Sequence, residues 1–170
     1  MGRRAVSVAG LFRPGMRTYF IPLIAGVALS ASAFLPWVVV GEVSLRGVPD
    51  VMALWVAGLG ALAAVLAALS LITRKNSRHP LLVVGLASLG IMFLSWRIMP
   101  RLAGERALTV SQAFAIVEDR PLGAGPSARA GSGIYLGLAA AAVLVGFGMT
   151  IVIKRVSQPH AVLAADDDVD

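Results

Sequence analysis

The chain has 170 residues, of which 58% are hydrophobic, and a mean hydropathy of +0.83, far above the roughly 45–50% apolar usage of soluble domains. The absence of cysteine excludes disulfide frameworks, thiolate metal sites and cysteine nucleophiles. Fifteen Lys and Arg against nine Asp and Glu give a net charge of +6. These basic residues flank apolar runs and lack aromatic platforms, a pattern that argues for membrane topology and headgroup contact and against nucleic-acid binding. A bias towards Ala, Gly, Val, Leu and Arg, with a single Asn, fits a bacterial chain.

Residues 1–18 form a basic arm carrying Arg3, Arg4, Arg13 and Arg17. The apolar run that follows, 19–40, has the length of a full span, about 20 residues for a 30 Å hydrocarbon core. Ala31-Ser32-Ala33 resembles a signal-peptide cleavage site, but the apolar run continues through Phe34 to Val40, too far for a short signal core. Pro36 is placed to kink or end this first helix. The valines around Gly41 leave a short β-hairpin and an irregular loop both open for residues 37–50, and Asp50 is a candidate N-cap for the next helix.

Further spans are predicted over 51–73, 81–99 and 133–153. None of the four contains an acidic residue, and Arg97, at the end of the third, is the one basic residue within them. The basic link from Arg74 to Pro80 closes the second and third spans into a hairpin. Loop 100–132 is the sizeable extramembrane segment. Within it Thr109-Val110-Ser111-Gln112 fits a capping box, and Val110, Ala113, Phe114 and Val117 share one face of a short amphipathic helix expected over about 110–119. Residues 154–170 read as a cytoplasmic tail without fixed structure, ending in an acidic cluster.

The expected fold class is therefore all-α: a four-transmembrane-helix bundle with a short outer amphipathic helix and, if residues 37–46 pair, an outer hairpin. Nine basic residues fall on the side of the arm, the 74–80 link and the tail, against six on the other. The positive-inside rule then puts both termini in the cytoplasm of a bacterial cell and loops 41–50 and 100–132 outside. Trp37, Trp55, Trp96 and Tyr135, one from each span, fall near the outer face as an interfacial belt. Helix packing is expected at three stripes of small residues: Gly26 with Ser30, Ala53 with Ala57 and Ala61, and Gly133, Gly137 and Ala141.

Catalytic and metal sites find no motif. His79 and His160 stand alone, and the outer carboxylates Glu42, Asp50, Glu105, Glu118 and Asp119 read as solvated charge. No catalytic, cofactor-binding or metal-binding residue is expected, and no cofactor. The order Ser32-Ala33-Phe34-Leu35-Pro36-Trp37, a Gly-containing outer turn, an Ala/Leu-rich second span, a basic inner link and Gly133-Ile134-Tyr135-Leu136 is similar in layout to small four-pass bacterial proteins of the tryptophan-associated membrane protein group. More distantly it resembles claudin-like four-helix proteins, without their paired outer-loop cysteines. The resemblance implies a four-pass bundle and no catalytic residues. The leading functional expectation is a structural or accessory component that binds a membrane or envelope protein through its outer face. Alternatives are an oligomeric pore or small transporter, and an outer-face enzyme acting on lipid-linked material. The expected partners are the lipid bilayer, such a protein and further copies of the chain, and not nucleic acid.

Overall fold

The computed structural model describes residues 17–73 and 78–156. The described chain is mostly helical, with a small sheet at one end of a helix bundle. A 3-10 turn, Arg17–Tyr19, leads into α1, Phe20–Ser32, followed by the strands β1, Pro36–Val40, and β2, Val43–Arg46. Then come α2, Val51–Thr73, α3, Arg78–Val117, the strand β3, Ala128–Ala130, and α4, Ser132–Val156. The basic arm, most of the 74–80 link and the acidic tail lie outside the described residues.

Three helices, in α2, α3 and α4, are long and apolar enough to cross a bilayer. Their outer surfaces are rich in exposed large apolar side chains, among them Leu54, Leu62, Val65, Leu86, Phe93 and Val143. Such a continuous apolar exterior is foreign to a water-soluble monomer and suits lipid.

The first apolar run differs from its expected form. Helix α1 stops at Ser32 after 13 residues, about 20 Å at 1.5 Å per residue and so short of a 30 Å core by itself. Residues 36–40, counted within the expected span with helix and hairpin both left open, are a strand. Pro36 cannot donate an amide to a helix, and the β-branched Val38, Val39 and Val40 favour the pleated surface. The hairpin is therefore present: β1 and β2 pair antiparallel with Val39 opposite Ser44 and Val40 opposite Val43. Gly41 takes the turn at a φ of +57°, a left-handed conformation that glycine adopts without a Cβ clash.

The third element also differs. Instead of a span ending at Met99, a loop and a separate short helix, α3 is one helix of 40 residues that runs through Pro100. Thr109 and Ser111, read as a capping box, lie inside it and donate to the carbonyls of Glu105 and Leu108. Pro100 removes one helical hydrogen bond, a loss tolerated in long membrane helices when neighbours pack around the site, and here Met99 and Ala103 pack against the core. The helix ends after Val117 in a Schellman turn. Asp119 sits at a φ of 52°, the Arg120 amide donates to the Ala115 carbonyl at 2.8 Å, and the Asp119 amide donates to that of Ile116.

A third strand joins the hairpin on its other edge, giving the antiparallel order β2-β1-β3 with Val38 opposite Ala130 and Val40 opposite Ala128. The Gly41 amide donates to the Ser127 carbonyl and the Gly131 amide to the Trp37 carbonyl, clamping both ends of this pairing.

In the bundle α1 packs on both α2 and α4, and α3 packs on α4 and α2. The crossing of α1 and α2 is backbone-close. A Cβ on Gly60 would lie 2.5 Å from the Ser30 amide nitrogen, and one on Gly26 would lie 2.6 Å from that of Ala64. Such close contact brings many backbone atoms within dispersion range and holds the pair.

Candidate functional site at the sheet end

The sheet end of the bundle is organised around Trp37. Both Trp37 and Val38 are buried, at 1% and 5% exposure, although neighbours in a regular strand point to opposite faces. The pairing of β1 with β2 shifts register between Pro36 and Val38, and a bulge of this kind re-aims a side chain. The indole Nε1 donates to the Ser32 carbonyl at 2.9 Å, so this carbonyl in the last turn of α1, which also accepts the Leu35 amide at 3.3 Å, gains a second donor. A Cβ on Gly47 or on Gly133 would stand 2.7 Å from the indole ring. Glycine at both positions lets the β2–α2 connection and the first turn of α4 close on the ring. Trp37 thus joins α1, the sheet, the approach to α2 and the start of α4.

The expected belt residues separate at this point. Trp55, Trp96 and Tyr135 are exposed on the helix surfaces, whereas Trp37 is enclosed at 1% exposure. The packing stripes are distributed in a similar way. Ser30 donates to the Ala57 carbonyl across the α1–α2 crossing at 2.9 Å. A Cβ on Gly137 would meet Met92 and the Ser32 hydroxyl, and Ala141 is fully buried. Ala61 is exposed and lies outside these crossings, while Ala53 of the same stripe is buried, and α2 also turns Val56, Gly60, Ala63 and Ala67 inward. The buried hydroxyls of Ser32, Ser70 and Ser88 donate to carbonyls of their own helices, Leu29, Leu66 and Val84. They are satisfied locally and are not aimed along a polar path.

Beyond Pro100, α3 rises from the bundle as a shaft, and the returning chain descends beside it. A Cβ on Gly125 would touch Leu108, one on Gly104 would touch Ala128, and Ala130 pairs with Val38 at the base. Past Leu108 the shaft carries exposed apolar side chains: Val110 is 54% exposed, Phe114 62%, Ile116 72% and Val117 82%. Between the shaft and the hairpin lies a cleft of about 260 Å3. Trp37, Val38, Met99 and Leu102 line its apolar part, and Arg46, Asp50 and Arg106 its polar part. Asp50 also caps α2, accepting the Met52 amide at 2.8 Å, as its position before the apolar run predicts.

The remaining charged residues make little of their proximity. Glu118 pairs with Arg120 at 3.2 Å on the exposed surface. Among the described residues no group of three or more His, Asp or Glu could hold a metal ion. His79 is exposed at the start of α3, and His160 lies outside the described residues. Neither the third strand nor the continuity of the shaft was anticipated from the sequence. The run from Arg101 to Leu108 is rich in helix formers, a signal for the shaft that the proline obscured, whereas Ala128-Arg129-Ala130 carries no strand signal of its own.

Comparison of the chain with protein family models, with curated proteins and with solved structures finds no match.

Proposed function

We propose that the chain is a four-pass accessory protein of a bacterial cytoplasmic membrane, with both termini cytoplasmic, whose outward sheet end docks a membrane or envelope protein. The fourth crossing is assigned to α1 together with its 3-10 turn. Tyr19 stacks edge-on against Phe147, with ring centroids 5.3 Å apart, while at the other end of α1 Ser32 lies against Gly133. From Phe147 to Gly133, α4 covers about 21 Å at 1.5 Å per residue. Helix α1 therefore accompanies α4 through most of an apolar thickness, and a small local thinning of the bilayer covers the remainder.

The observation that carries the docking reading is the uncovered apolar end of the shaft. Val110, Phe114 and Val117 recur on one face of α3 and are more than half exposed. They stand roughly 15–25 Å along the helix from Pro100, at 1.5 Å per residue. Acyl chains do not reach that height, so a protein surface is the cover that fits. The mode is an apolar helix face laid into a groove.

A photo-crosslinking amino acid in place of Phe114, activated in intact cells, tests this reading. A discrete adduct with one protein, lost when Val110 and Val117 are changed to Asp, is the expected result. Adducts with a second copy of this chain would reassign the surface to self-association, and adducts with lipid alone would overturn the docking.

A further inference from the structure

We propose that the cleft between the hairpin and α3 binds the phosphodiester of an anionic lipid headgroup. This rests on the reading of the helices as membrane-spanning and not on the docking of a protein at the shaft.

The position of the cleft suits a headgroup. Its walls come from the last residues of apolar helix or the first beyond them: Met99 and Leu102 flank Pro100 on α3, and Asp50 caps the end of α2. On two helices that cross a bilayer this is the level at which hydrocarbon gives way to headgroups. The next residue after Asp50, Val51, opens an almost wholly apolar groove down the exposed face of α2 past Leu54, Trp55, Gly58 and Leu62. That groove offers an acyl chain a bed next to the cleft.

The chemistry suits a monoanion. Arg46 comes from the end of β2 and Arg106 from the shaft, so two arginines line the cleft from separate elements. Neither is engaged in an ion pair among the described residues. Guanidinium groups bind phosphate oxygens through paired, charge-assisted hydrogen bonds. The Asp50 carboxylate is oriented towards the α2 amides, with one oxygen on the Met52 N–H, and the positive end of the helix offsets its charge. Two cations and one carboxylate leave a net single positive charge, which matches a phosphodiester. At about 260 Å3 the cleft falls just below the roughly 300 Å3 at which pockets for whole small molecules begin. A headgroup fits, with its chains outside.

Two independent contributions hold the cleft open. The Trp37 anchor fixes the hairpin at its base, and the β3 pairing fixes the hairpin to the descending chain. Both arginines are exposed, so substituting them leaves the core unchanged.

The test is native mass spectrometry of the detergent-purified full chain titrated with phosphatidylglycerol, phosphatidylcholine or inorganic phosphate. Phosphatidylglycerol should be retained in preference to phosphatidylcholine, and the double variant Arg46→Gln/Arg106→Gln should lose about tenfold in apparent affinity. Arg120→Gln, at an exposed ion pair away from the cleft, should retain it unchanged. Equal retention of both lipids, or an unaffected double variant, would overturn the proposal. Inorganic phosphate binding with the same dependence on both arginines, without preference for the lipid, would transfer the site to a soluble phosphate and equally overturn it. Thermal unfolding of each variant, expected to match the unsubstituted chain, separates loss of the site from loss of the fold. Recovery of the chain from cells in the soluble fraction and not with membranes would remove the membrane reading itself. Failure of the Phe114 crosslink alone would leave the cleft proposal standing.

Discussion

At the scale of single residues, the stability of this chain depends on where backbones touch. Gly60 and Gly58 are two positions apart on α2, yet a Cβ on Gly60 would meet the backbone of α1 at 2.5 Å while one on Gly58 would meet nothing within 4 Å. Gly60→Ala is expected to destabilise by about 1–3 kcal/mol, because neither helix can move without losing its other contacts. Gly58→Ala should be neutral or stabilising by up to about 1 kcal/mol, through helix propensity alone. Thermal unfolding of the two variants in detergent measures the contrast. Trp37 offers a second one. Trp37→Phe deletes the hydrogen bond to the Ser32 carbonyl at a cost of about 1 kcal/mol, whereas Trp37→Ala also empties the space enclosed by Gly47 and Gly133 and should cost about 3–5 kcal/mol. Denaturation in mixed micelles would order the variants, and equal losses for both would show that the ring contributes nothing through packing.

At the scale of elements, α3 combines two regimes in one continuous helix. Up to Leu108 its sides are supported by α4, α2, the sheet and the descending chain. Beyond Leu108 its large apolar side chains are exposed, so helical hydrogen bonds there are held mainly by local propensity. Isolated helical segments of this length are marginal in water. Amide hydrogen exchange in detergent should therefore be slow from Leu81 to about Leu108 and markedly faster from Thr109 to Val117. Uniform protection to Val117 would mean that something covers the end of the shaft in the purified protein. The hairpin makes a complementary case. Its turn at Gly41, with a positive φ, makes Gly41→Val costly by roughly 1–2 kcal/mol from the left-handed backbone alone, visible as earlier melting of the sheet end.

At the scale of the molecule, orientation is the property that functional readings depend on. In this cysteine-free chain, single cysteines placed at Ser44, Ser77, Ser127 and Ser157 can be labelled by a membrane-impermeant reagent on whole cells. With four crossings and the sheet end outward, Ser44 and Ser127 should label and Ser77 and Ser157 should not. If α1 does not cross, Ser44 and Ser127 still behave as a pair, because one side of the bundle holds both β2 and the approach to β3. In that case the N-terminal arm would share their side, so a cysteine at Ser7 that labels or stays silent together with Ser44 distinguishes three crossings from four.

The apolar runs over 51–73, 81–99 and 133–153 were legible from composition, since a stretch of that length without midplane charge has few structural options other than a membrane-length helix. The N-cap at Asp50 and the hairpin around Gly41 were also marked locally, by a side chain that accepts amide hydrogens and by a residue free to take a positive φ. The end of α1 was marked by Pro36 alone, as a kink or a stop, and its place at Ser32 was not marked. The run from Phe34 to Val40 is apolar enough to continue a helix, and the burial of Trp37 between Gly47 and Gly133 adds to Pro36 and the valines in stabilising a strand there. Likewise Ala128-Arg129-Ala130 becomes a strand because β1 presents an open edge, and Pro100 remains helical because Met99 and Ala103 pack into the core on either side of it. Sequence thus determined the apolar lengths and the turn chemistry, which depend on neighbours a few residues away. Tertiary structure decided where helix gives way to strand and where a helix survives a proline, because those choices turn on contacts between residues far apart in the chain.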